Sequence, residues 1–150
     1  MPRIFDASNR LAKAGVHVYH LELPPSVRGI SYRVLGQMVV LLNKGLTRVQ
    51  QRCTLYHEYF HLKLFGGWIF GFHVCYRDRL QEGTIETKVH RATAEALVPI
   101  KTLERMWKRG WWVDELADHF DVTEEVIEDA IEFFVRRKGK LVEGGVSLET

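Results

Sequence analysis

Cysteine is scarce in this chain, long apolar runs are missing, and net charge is small; each shortage excludes something. The two cysteines, Cys53 and Cys75, show no paired C-x-x-C spacing, so no disulfide framework is expected and a reducing cytoplasm is the default compartment. The uninterrupted apolar stretches are far too short to cross a bilayer, and Met1 to Asn9 does not read as a signal peptide. No internal repeat or low-complexity segment breaks the pattern. What remains is a composition of 46% hydrophobic and 27% charged residues over 150 positions. That is ordinary for a soluble protein of one domain with room for a small appended subdomain, and long enough to bury a core without staples.

The stretch that carries chemistry is Thr54-Leu55-Tyr56-His57-Glu58-Tyr59-Phe60-His61, a His-Glu-x-x-His pattern inside a segment that reads as helix. Residues four apart stack one turn above the other, so His57 and His61 project from one face and can hold Zn²⁺. Glu58 sits beside them, placed to take a proton from an attacking water. The plainer alternative is an amphipathic helix whose histidines only satisfy local hydrogen bonds. Cys53, one turn before His57, is a further possible ligand, although a small buried thiol is the commoner use of cysteine.

Around the motif, the chain alternates helix and strand signals. Asp6 to Ala14 reads as a short helix stopped by Gly15, and Val16 to Leu21 as a strand, with Pro24-Pro25 breaking the path after it. Gly29 to Leu35 and Met38 to Leu42 read as two more strands, joined by a tight hairpin with Gly36 in the first central position. The motif helix is expected to start at Thr47 as N-cap and to run to about Leu64, with Val49, Cys53, Tyr56, Phe60 and Leu64 on its core face. Gly67 to Tyr76 is aromatic and glycine-punctuated, a packing strand or an apolar wall over a cleft; His73 within it is a weak candidate for stabilising an oxyanion. Gly83-Thr84 offers a second helix start with Thr84 as N-cap, and Ile85, Val89, Ala92 and Ala96 form a stripe toward Pro99. On that helix a carboxylate would complete the three protein ligands of a catalytic zinc site. Glu86 ranks ahead of His90 and Glu82 for the role.

The C-terminal third has a different character. Lys101 to Arg109 reads as a short basic helix. Asp114 to Arg137 then has the outline of a helix, a turn at Phe120 to Thr123, and a second helix, a helix-turn-helix silhouette. Net charge is +6 over residues 1–65 (nine basic, three acidic), +3 over 66–112 (eight and five) and −7 over 113–150 (four and eleven). Between Val113 and Ala130 there are eight carboxylates and no Lys or Arg, so phosphate would repel this element. A structural or protein-binding role is expected, with no direct nucleic-acid contact.

A metzincin would carry Gly and His where this chain has Leu64 and Gly67, so the third ligand comes from elsewhere. At this point the sequence resembles the ImmA/IrrE metallopeptidases of phages, mobile elements and stress-response loci. Arg52-Cys53-Thr54-Leu55-Tyr56-His57-Glu58-Tyr59-Phe60-His61 is similar to that family's first signature. Glu86 through Ala94-Glu95-Ala96-Leu97-Val98-Pro99 is similar to its second. Tyr56 and Phe60 stand where the family has small residues, and His90 where Asn or Asp is usual. The resemblance implies Glu86 as third ligand beside His57 and His61, Glu58 as catalytic base, and Zn as cofactor. It also implies an endopeptidase whose protein substrate is a DNA-binding, helix-turn-helix repressor. The alternative is a non-cleaving anti-repressor on the same fold. The fold expected is α+β: a small, largely antiparallel three-stranded sheet on a zincin-like helical core over residues 1–112. A helix-turn-helix-like subdomain over 113–137 and a tail over 138–150 complete it.

Overall fold

The computed structural model describes residues 9–65, 73–74 and 82–136. The chain divides into two compact units, Met1–Val89 and His90–Thr150.

In the first unit a helical turn, α1 (residues 9–13), ends at Gly15, whose φ of +83° is open to glycine at little cost. Strands β1 (Val16–Leu21), β2 (Gly29–Val34) and β3 (Gln37–Asn43) follow, then helix α2 (Arg48–Phe65) and a two-residue strand, β4 (His73–Val74). The sheet order is β1-β3-β2-β4. β2 is antiparallel to both β3 and β4, but β1 runs parallel to β3, Val16 opposite Met38 and Leu21 opposite Asn43. The sheet is therefore mixed, with a fourth short strand, where three largely antiparallel strands were expected. Local signals specify the hairpin; they do not say on which side of it β1 docks. Apolar β3 takes the position between β1 and β2, where Val40 and Leu42 are almost completely buried.

The loop that carries the chain from β1 to β2 is tied down by Asn43. Its side-chain amide donates to the carbonyls of Leu23, Pro24 and Val27, and its Oδ1 accepts from the Gly45 amide. Buried polar groups must find such partners.

The hairpin turn differs in one residue from expectation. Val34 pairs with Gln37, so Leu35 and Gly36 are the two central residues, with φ of +49° and +76°. Positive φ at both centres is the primed turn that matches strand twist. Gly36 meets this freely, whereas Leu35 is a side chain in the left-handed region and is 98% exposed, so nothing is gained by its burial. Leu35→Asn, creating Asn-Gly, is expected to raise unfolding stability by about 1 kcal/mol, read as a higher urea midpoint with unchanged slope.

Helix α2 begins as the sequence predicts. Thr47 is the N-cap: its Oγ1 accepts from the Gln50 amide, and its own amide donates to Gln50 Oε1, a reciprocal box that satisfies two end groups. The helix lies across β2 and β3. Its buried residues are Cys53, Thr54, Leu55, Glu58, His61 and Leu62, a face rotated from the expected one. Leu64 is exposed, while Tyr56 and Phe60 are half-buried. Leu55 and Leu62 join Leu11, Val16, Val40 and Leu42 in the core. The rotation puts Glu58, a carboxylate, inside.

Helix α3 (Glu82–Leu97) spans the boundary between the units and already includes Thr84, which is thus inside the helix and not its N-cap. The second unit continues with α4 (Ile100–Lys108), α5 (Val113–Phe120) and α6 (Glu124–Ala130), and closes in a π-helical turn over Ile131–Arg136. Its core includes Leu97, Val98, Leu103, Leu116, Ile127 and Ala130. The Trp112 amide donates to Glu115 at the start of α5, and Thr123 accepts from the Val126 amide at the start of α6. Asp121, at φ +58°, makes the turn between these helices.

Candidate metal centre

Because α2 is regular through the motif, His57 and His61 sit one turn apart. Their rings meet edge to face with centroids 4.8 Å apart, and the two Nε2 atoms are 3.1 Å apart. Glu86, in the second turn of α3, brings Oε1 to 2.8 Å from His61 Nε2 and Oε2 to 3.4 Å from His57 Nε2. Two imidazole nitrogens and a carboxylate thus converge on one small space.

The geometry suits a metal ion. Ligand bonds of about 2.0–2.1 Å at tetrahedral angles hold neighbouring donor atoms roughly 3.3 Å apart, and the three separations lie on either side of that value. Two imidazoles and one carboxylate are also the donor types that zinc takes in catalytic sites, with a fourth position left open. Exposure is graded across the cluster. The His61 side chain is 4% exposed, His57 15% and Glu86 25%, so solvent reaches the cluster from the side of Glu86 and His57.

Glu58 faces the sheet and is completely buried. A carboxylate with no partner there would be costly; Ser31 on β2 supplies one, its Oγ donating to Glu58 Oε2 at 2.5 Å, a charge-assisted length. Gly29 makes the approach possible. A Cβ at that position would lie 2.7 Å from Thr54 Cγ2 and 3.1 Å from Glu58 Cγ, so any larger residue would displace Thr54 and crowd Glu58.

The structure thus brings His57, His61 and Glu86 together and sets Glu58 on the same helix as the two histidines. His90, the second-ranked ligand, shares a helix face with Glu86, and its Nδ1 lies 2.8 Å from Asp129 Oδ2. Cys53 is a buried thiol in the α2 core face. The side chains of Glu82 and His73, and the aromatic segment around His73, lie outside the described residues, as does Cys75. Two partners, Ser31 and Asp129, are set by the tertiary structure. Ser31 left a faint signal: Gly29 and Ser31, two apart, make a small-residue row on one face of a strand, as a closely packed helix requires. Asp129, 39 residues from His90, left none.

No curated protein matches this chain. A family model does: the Peptidase M78 model, described as the IrrE N-terminal-like domain, matches residues 11–132, a span that takes in the sheet, both helices of the cluster and all of its residues. The chain therefore belongs to the IrrE N-terminal-like domain family, and with that membership comes a metallopeptidase-type function.

Proposed function

We propose that this protein is a zinc-dependent endopeptidase that cuts a regulatory protein, a helix-turn-helix repressor of a phage or mobile element. The observation that carries the enzymatic part is the convergence of His57 Nε2, His61 Nε2 and a Glu86 carboxylate on one point. Those three residues would hold the zinc ion. Zinc bound there acts as a Lewis acid that polarises the scissile carbonyl and acidifies water.

The protein's own groups do the rest. Glu58 accepts the proton that the attacking water loses as its oxygen bonds to the carbonyl carbon. It then passes that proton to the departing amine nitrogen as the C–N bond breaks. One proton enters the Glu58 carboxylate and one leaves, so it is ready for the next cycle. The core that performs this is read as zincin-like.

Support for a protein partner comes from the family resemblance and from charge. The pair α5–α6, read as helix-turn-helix-like, carries acidic residues in the first turn of each helix, which disfavours phosphate and suits a protein surface. Among the described residues no helix is long and apolar enough to cross a membrane, and we place the activity in the cytoplasm.

The test is to purify the chain, measure its metal, and incubate it with the regulator encoded beside it. About one zinc per chain and a discrete cut that a chelator abolishes are expected. An intact regulator after prolonged incubation with zinc-loaded protein would sink the peptidase reading.

A further inference from the structure

The partner of Glu58 has a consequence for the reaction. Ser31 sits on β2, which is paired on both sides: its backbone is in register with Val40 on β3 and with His73 on β4. Its hydroxyl is thus carried on backbone held from two directions, and the residue is 1% exposed. That hydroxyl donates to Glu58 Oε2, a contact made across the helix–sheet interface by residues 27 apart in sequence. Gly29, two residues earlier on the same strand face, lets the helix come close enough for it.

A serine hydroxyl is not needed merely to fill this space. Alanine would fit, and an apolar residue at 58 would pack against the sheet without any polar partner. The protein instead buries a carboxylate and gives it a donor carried on a strand paired on both sides. While Ser31 holds Oε2, the carboxylate cannot rotate about its Cγ–Cδ bond without breaking that hydrogen bond.

We propose that Ser31 is a positioning residue that locks the orientation of the Glu58 carboxylate, so that the same oxygen meets the attacking water in each turnover. This rests on the peptidase reading above, in which Glu58 is the base. Ser31 acts through Glu58, to which its hydroxyl donates. Without that hydrogen bond the carboxylate samples a wider range of orientations, and misalignment on the ångström scale is enough to cost a proton transfer one or two orders of magnitude.

The test uses the full chain, zinc-loaded, with an internally quenched peptide spanning the bond cut in the neighbouring regulator. Ser31→Ala is expected to keep wild-type zinc stoichiometry and KM within about threefold while lowering kcat roughly 10- to 100-fold. Ser31→Thr, which restores the hydroxyl, is expected to recover most of kcat. A purely structural role would instead lower zinc content along with activity and would not separate kcat from KM.

A second readout needs no catalysis. In metal-free protein, Ser31→Ala should lower the melting temperature in the wild-type background but have little effect with Glu58→Met, because the buried carboxylate that loses the Ser31 hydrogen bond is then absent. If Ser31→Ala keeps kcat within twofold, or if the two substitutions act additively on stability, the positioning role is overturned. If the stability coupling is present but the wild-type protein cuts nothing, it is the peptidase reading that fails, and the catalytic purpose of the contact with it.

Discussion

Glu58→Gln is expected to lower peptide cleavage by about 10²- to 10⁴-fold while leaving bound zinc at the wild-type level. The substitution is nearly isosteric, and the amide oxygen can still accept the hydrogen bond that Ser31 offers to Glu58. The fully buried site is therefore not emptied, and the Ser31 hydroxyl keeps an acceptor. His57, His61 and Glu86 are unchanged, so metal binding has no reason to fall. What disappears is the ability to take up a proton, since a carboxamide is not a base under these conditions. Turnover measured beside metal content separates this from a folding defect. A variant that keeps zinc and also keeps activity within tenfold of wild type would remove Glu58 from the mechanism.

The second large effect concerns the residue that comes from another helix. Glu86→Ala is expected to weaken zinc binding by at least about 100-fold, because loss of a direct ligand should exceed the 10- to 100-fold that loss of a supporting residue costs. The side chain is a quarter exposed, so the metal-free fold should tolerate its removal. The consequence is visible in stability. Zinc at 100 times its dissociation constant should stabilise the wild-type protein by about 2.7 kcal/mol, and most of that gain should vanish in the variant. His90→Ala is the control: its ring is engaged with Asp129, and its loss should weaken zinc less than the loss of Glu86. Equal losses, or a larger one at His90, would reassign the third ligand. Melting curves with and without added zinc, on three proteins, decide the matter.

The departures between sequence and structure share a cause. Apolar spacing puts Cys53, Tyr56, Phe60 and Leu64 on the core face of α2, because apolar residues ordinarily mark the core. The helix is turned so that Glu58 and His61 are inside and Leu64 is out. A polar residue that is buried because a partner waits for it cannot be told from a solvated one by periodicity. The same holds for β1, whose alternation said strand but not that it would run parallel on the far side of β3. At Leu35, too, the local preference points away from the observed turn. Pairing of Val34 with Gln37 fixes the loop at two residues, and the leucine takes a left-handed conformation that its side chain disfavours.

Chain order alone determined what depends on short-range spacing. The His57–His61 stacking follows from the helical repeat, the start of α2 from Thr47 and Gln50, the hairpin from two β-branched runs around Gly36, and the acidic bias of α5–α6 from composition. Tertiary structure decided what depends on residues far apart meeting. These are the carboxylate that closes the triangle at His57 and His61, the serine behind Glu58, the aspartate behind His90, and the strand order. The physical reason is range: propensity, capping and side-chain period act over a few residues, whereas these contacts form only once the sheet and helices have packed.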